Sequence, residues 1–342
     1  MSTNVEGQAS PSDAEIFLVH GAHTAVVSPY GASLRGYSVA AEAANAPRRD
    51  VVTPYAGAQP PSPDGSRMGR SARDIGQKIG GQGDVLIPFP GRIRDGLYTF
   101  GGQPYQMERN DHEGPNAIHG FLRSTLWNID ESSENKVRFS TSIGKAQYEE
   151  RGYPFSLEVT VAYQVDDSGL TCSFSITNTG PDAAPAAAGF HPYFTTGSAL
   201  IDEDTLEVPL EAVLELNANL IPTGRVLPVE GTPLDFRKPR RIRSTAFNTC
   251  FLQPRRDEDG RLRIHLRGDA GTVTVWMDGA FNYVVLYSGD PLPPEHRRRS
   301  LAIEPMTCGS DGFNHPEWGL AALEPGESFG GEWGVNVDRG NG

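Results

Sequence analysis

Two short stretches far apart in the chain each set one ionisable side chain directly before a proline: Gly189-Phe190-His191-Pro192-Tyr193-Phe194 and Ile303-Glu304-Pro305-Met306-Thr307. A proline ring clashes with the preceding residue in the α region and drives it into extended backbone. His191 and Glu304 are therefore expected to project from strand-like backbone with little freedom. An imidazole can act as acid in one direction and as base in the reverse, and a carboxylate at neutral pH is a competent base. Together they suit a reaction that removes one proton while delivering another.

Two further polar residues stand in compact motifs, Arg92 in Pro88-Phe89-Pro90-Gly91-Arg92-Ile93 and His119 in Asn116-Ala117-Ile118-His119-Gly120. A guanidinium offers planar, paired donors to hydroxyl or ring oxygens, and its charge stabilises a developing oxyanion. Arg94 is a rival for the same anchoring role. Other polar groups read more plainly. His20 and His23 have no carboxylate or thiol close in sequence to complete a metal site. Arg297-Arg298-Arg299 follows a proline-rich stretch and suits a solvated loop. Arg237, Lys238, Arg240, Arg241 and Arg243 could gather round a phosphate, but a solvated loop accounts for them more simply.

These residues need rigid elements to position them, and the sequence pattern supplies strands. Phe155, Leu157, Val159, Val161, Tyr163 and Val165 alternate with polar residues, and the alternation resumes in Leu170, Cys172, Phe174 and Ile176 after Asp166-Asp167-Ser168-Gly169. That is a β-hairpin with one buried face. The same period of two recurs from Val137 to Ile143, from Leu262 to Leu266 and from Val273 to Met277. No stretch of similar length carries a helical stripe, although Ser71 to Lys78 could hold a short helix. Short strands and abundant glycine and proline, 39 and 27 residues, predict an all-β protein: a large antiparallel β-sandwich with few short helices. Residues 1–13 read as a flexible tail and 14–338 as one sandwich domain. The Ala-, Pro-, Gly- and Ser-rich stretch 41–84 reads as a long surface loop within it.

Bulk properties remove several classes of function. A net charge of −13 repels nucleic acid and anionic membrane, so neither is an expected partner. No run of 18 apolar residues is present, and the first residues lack the basic and apolar regions of a secretory signal. Cys172, Cys250 and Cys308 are odd in number and widely spaced. They read as reduced structural thiols of a cytoplasmic protein.

The string GRIRDGLYTFGGQPYQMERNDHEGPNAIHGF, followed in order by GFHPYF, IEPMT and LAALEPGESFGGEWGV, resembles the aldose 1-epimerases, or mutarotases, over roughly Ala14 to Val337. The resemblance implies a sandwich of unusually large sheets whose concave face holds one pyranose monosaccharide. It also implies roles: Glu304 as base on the anomeric hydroxyl, His191 as acid to the ring oxygen, His119 and Arg92 as substrate anchors. Opening and reclosing a hemiacetal ring needs one base and one acid and no cofactor. Two features depart from the family. Gly91 stands where asparagine is common, and a substrate-binding aspartate is replaced by an uncharged residue, Ser244 or Asn248 according to register. A hexose-6-phosphate mutarotase and a non-catalytic sugar-binding protein are the alternative functions, the first requiring the Arg237–Arg243 cluster to face the cleft.

Overall fold

The computed structural model describes residues 15–40, 47–54 and 78–338. Within them the chain forms two large antiparallel sheets, of twelve and nine strands, with three two-stranded pairs beside them. This is the expected all-β sandwich class. Helix is limited to the single turn Lys145–Tyr148 and a few short 3-10 turns.

The nine-stranded sheet holds every strand that the alternation points to. Leu157–Asp166 and Gly169–Asn178 pair in register from Leu157 opposite Asn178 to Asp166 opposite Gly169, which makes the expected hairpin. Lys136–Ile143, Leu262–Gly268 and Gly271–Met277 join it in the same sheet. Leu157, Val159, Val161 and Val165 are fully buried, while Glu158 between them is exposed. One face is therefore dry and the other wet, the arrangement that an alternating sequence encodes.

The dry face packs against the twelve-stranded sheet, and side chains of both sheets merge into one core that includes Val27 and Leu34 from one and Val161 and Phe174 from the other. Polar groups caught between the layers are satisfied: the Tyr163 hydroxyl donates to the Ala32 carbonyl at 2.8 Å. The twelve-stranded sheet is covered on its second face as well. A smaller cluster includes Leu214, Cys250, Tyr283 and Met306, on strands whose alternate residues belong to the main core, together with Trp318 from a short 3-10 turn. As a result Leu301–Met306, in the interior of this sheet, is buried at all six positions.

Part of the stretch read as a surface loop is strand instead. Arg49–Val52 pairs with Ser33–Val39 and with Tyr193–Phe194 inside the twelve-stranded sheet. Val51 and Val52 are buried there, but two apolar residues in a row are too few to show a period. Residues 78–84 form turns against the site. The candidate helix at Ser71 to Lys78 falls outside the described residues up to position 77, as do the tail and residues 41–46 and 55–77 of the loop.

Candidate active site

Glu304 and His191 reach one another through the strand Leu301–Met306. On one side this strand pairs continuously with Tyr283–Tyr287, Val285 lying opposite Glu304. On its other side it meets two fragments, Gly189–Phe190 opposite Met306 and Tyr193–Phe194 opposite Ala302 and Leu301. His191 and Pro192 fall in the gap between the fragments. Pro192 and Pro305 both lack an amide donor, so neither can contribute an N–H to the ladder where these segments pass.

Among the described residues His191 thus has no strand partner. Its backbone is fixed by the turn that precedes Val85: the His191 amide donates to the Asp84 carbonyl at 3.0 Å, and the Gly83 amide donates to the His191 carbonyl at 2.9 Å. Phe190, next door, packs inward against Phe174 and Trp333 of the nine-stranded sheet at ring separations of 5.9 and 5.5 Å. That anchorage turns His191 to the opposite face. Tyr193 stacks on the imidazole at 5.1 Å with an interplanar angle of 14°, and its hydroxyl donates to the Gly80 carbonyl at 2.6 Å. On the other side Gly81 comes close enough that a Cβ there would stand 3.1 Å from the His191 ring.

His191 Nε2 lies 3.3 Å from Glu304 Oε1, and both side chains are almost fully buried. They line a cavity of about 380 Å3 together with Arg92 and His119. All four residues singled out in the sequence therefore converge on one space. His119 meets His191 edge to face at 5.6 Å. It adopts a left-handed φ of 63°, and its amide donates to the Gly91 carbonyl at 3.0 Å. Gly91 itself has φ 65°, a conformation that glycine and asparagine tolerate far better than other residues. The family asparagine and this chain's glycine thus suit the same backbone. Glycine fits especially because a Cβ would lie 2.8 Å from Ser310 Oγ.

Arg92 is held by Asp111 at 2.8 Å through Nε and by Glu113 at 2.5 Å through one terminal nitrogen. Arg94 does not line the cavity; its side chain is half exposed and donates to the Pro222 carbonyl at 3.1 Å. Asn248 lines the cavity and Ser244 does not. The Arg237–Arg243 cations do not line it either. Arg237 is engaged by Asp235 and Glu211, and Arg241 meets Glu203. His20 and His23 are partnered by Asp167 and Tyr37.

Several lining residues carried no signal strong enough to single them out: Asn110, Asp111, His112 and Glu113 on one loop, Arg123, and Tyr287. The polar run from Asn110 to Glu113, lying between two motifs, was the available clue. Of the aromatics near the motifs, Tyr193 supports His191 from behind, while Tyr287 faces the cavity. Burial holds the Tyr287 phenol up at about 12, so it stays a neutral hydroxyl.

The electrostatics follow from dryness. Burial pushes the Glu304 carboxyl well above its ordinary range, with only Arg92 opposing. Burial likewise drives the His191 imidazole down to about 3, helped by the charges of Arg123 and Lys78 and opposed by a backbone hydrogen bond. His119 moves down for the same leading reason, with His191, Arg123 and Arg92 adding to it. Desolvation penalises charge on either member of a pair. Burial thus opposes charge on both residues, raising the Glu304 carboxyl and lowering the His191 imidazole. The cations around them are matched: Arg92 by Asp111 and Glu113, Lys78 and Arg123 by Asp84.

A sequence model of aldose 1-epimerases matches residues 73–335. An uncharacterized protein of Escherichia coli, YihR, is 32% identical over 233 residues, spanning 68% of this chain and 71% of its own. The galactose mutarotase of Sus scrofa is 27% identical over 269 residues, spanning 72% and 76%. Among solved structures, an aldose epimerase homologue from C. elegans superposes with a TM-score of 0.81 at 19% identity, covering 96% of this chain and all of the other. The chain belongs to the aldose 1-epimerase family.

Proposed function

We propose that the protein interconverts the α and β anomers of free hexoses, with Glu304 and His191 exchanging proton duties. The observation that carries this reading is one acid–base pair, 3.3 Å apart, at the wall of a cavity large enough for one pyranose. A bound hemiacetal sets its anomeric hydroxyl at Glu304 and its ring oxygen at His191. Glu304 takes the hydroxyl proton as His191 gives a proton to the ring oxygen. The C1–O5 bond breaks and an open-chain aldehyde results. Rotation about C1–C2 presents the other carbonyl face, and the reverse transfers close the ring.

The proton count favours this sequence. Ring opening starts from carboxylate and imidazolium and ends with carboxylic acid and neutral imidazole, the forms whose burial costs less. A dry pocket therefore drives proton transfer in the ring-opening direction. Because the pair works with one proton, rate is lost in acid when a second proton binds and lost in alkali when the first leaves. The two apparent constants of the resulting bell belong to the pair. Arg92, pre-oriented by two carboxylates, and His119 hold the sugar. Asn248 replaces a charged acceptor with an amide that can both donate and accept.

Matched charges around the cavity support a neutral sugar over a phosphorylated one, and the cluster that a phosphate would need faces elsewhere. The protein's three free, buried cysteines suit a reducing compartment, in keeping with a cytoplasmic enzyme. Among the described residues no helix is long and apolar enough to cross a membrane. The test follows optical rotation of freshly dissolved α-glucose and α-galactose with wild type and Glu304→Gln. Wild-type rates above buffer that vanish in the variant are expected. A wild type no faster than buffer defeats the reading, and tight sugar binding without exchange would make the protein a binder.

A further inference from the structure

The turn that holds His191 carries a buried ionic group. Lys78 and Asp84, six residues apart, pair across its base, and Arg123 of the 3-10 turn Leu122–Ser124 reaches the other Asp84 oxygen at 3.6 Å. The Asp84 side chain is 3% exposed and that of Lys78 11%. A buried ion pair adds little net stability over apolar residues of the same size. Folding alone therefore gives no reason to place one here.

Its position supplies the reason. Between the paired residues the chain turns through Gly80 and Gly81, both at left-handed φ, and the Asp84 amide closes the turn on the Gly81 carbonyl at 3.0 Å. Gly81 packs against the His191 ring, and the Gly80 carbonyl accepts the hydroxyl of Tyr193, which stacks on the same ring. The Asp84 carbonyl in turn accepts the His191 amide at 3.0 Å. One residue thus joins the main chain of the imidazole to the turn that touches its ring.

The charges lie close to the proton donor as well. The imidazole faces Glu304 at 3.3 Å, His119 at 5.6 Å and Tyr193 at 5.1 Å. Lys78, Asp84 and Arg123 belong to the turns around it, and Arg92 stands beside Glu304 and His119 at the cavity. Burial drives the imidazole down, and Arg123 and Lys78 add to that. Burial raises the Asp84 carboxyl, and the same two cations oppose the rise.

We propose that Asp84 is a positioning residue for ring opening: its carboxylate, held by Lys78 and Arg123, locks the turn against His191 and offsets their charge beside the imidazole. The proposal rests on the epimerase reading and gives that site a working residue outside its cavity lining.

Polarimetric pH–rate profiles for α-glucose and α-galactose, with the buffer rate subtracted, are compared for wild type, Asp84→Asn, Lys78→Met and the double variant. Asp84→Asn should lower kcat about tenfold with KM within about twofold, since the ring is displaced and the sugar's anchors are not. It should also move both limbs of the pH bell down by about one pH unit, because removing a negative charge makes each proton bind less readily. Lys78→Met removes a positive charge and should move both limbs up by a similar amount. In the double variant the bell should return to its wild-type place while kcat stays low. A structural defect alone would not shift the bell in opposite directions. An unmoved bell in both single variants, shifts of the same sign, or wild-type kcat in Asp84→Asn overturns the positioning role and leaves the epimerase reading standing. Should Asp84→Asn not fold, an upward shift in Lys78→Met supports the role and its absence overturns it. A wild type no faster than buffer overturns both readings.

Discussion

The two large sheets obey different sequence rules. In the nine-stranded sheet, Leu157–Asp166 alternates buried and solvent-facing residues along its length. In the twelve-stranded sheet, Leu301–Met306 is buried throughout, because core covers one face and the site covers the other. The first sheet shows the pattern of a stable framework. The second accepts a buried carboxylate in the middle of an apolar strand, a cost that stability alone would remove. The difference separates what folds the molecule from what makes it reactive, and substitutions in the two sheets should fail in different ways.

The largest effect belongs to Glu304→Gln, which should lower kcat by a factor on the order of 10² to 10⁴, the worth of a positioned acid–base group. The same change should raise the melting temperature at pH 8. The Glu304 carboxyl binds its proton more tightly folded than unfolded, so its contribution to stability is full below the ordinary 4.5 and is lost as pH rises through the folded value. A neutral amide escapes that loss. Polarimetry and thermal melts at pH 4 and pH 8 check both halves, and a gain that is larger at pH 4 would contradict the assignment.

Ile264→Ala, in the fully buried row of the nine-stranded sheet, should behave in the opposite way. A loss of about 2–5 kcal/mol in urea unfolding is expected from the cavity it leaves, with kcat/KM of the folded fraction unchanged. His191 supplies a smaller, pH-dependent effect. Its imidazole is buried neutral and pushed down to about 3, so its stabilising contribution is full above the ordinary 6.5 and disappears as pH falls from there toward 3. His191→Asn should flatten the acid side of the stability curve, as read by melts from pH 7 to pH 3.

Gly81→Ala sharpens the contrast within the site sheet itself. The added methyl would stand 3.1 Å from the His191 ring, at a φ of 76°. A cost of about 1–2 kcal/mol in stability and a loss of up to about 10² in kcat from the displaced ring are expected, measured by urea titration and polarimetry. Glu158→Ala, on the wet face of the nine-stranded sheet, should change stability by less than about 0.5 kcal/mol.

The same contrast governs how much could be read from the sequence. Strands with one wet face announced themselves by period, which is why the hairpin from Leu157 to Asn178 was legible almost to the residue. Arg49–Val52 was not, because a four-residue strand has too few positions to show a pattern. In the site, Glu304 and His191 stood out by their prolines, and Arg92 and His119 by motif. Asp111, Glu113, Arg123 and Tyr287 were hidden because their importance comes from folding distant loops and strands together. The backbone that holds His191 was hidden too, since nothing in Gly83-Asp84 forecasts that this turn replaces a strand partner.

That turn has a dynamic consequence. The His191 amide bonds to the Asp84 carbonyl, while Glu304 sits in a strand paired from Ala302 to Met306 with Tyr283–Tyr287. Proton donor and acceptor are therefore clamped by different sets of main-chain hydrogen bonds. In hydrogen–deuterium exchange the amides around Glu304 should stay protected until the whole molecule opens, whereas the Asp84 clamp can loosen by local opening alone. Deuterium uptake at residue 191 then reports how often the imidazole leaves its station while the carboxylate stays put.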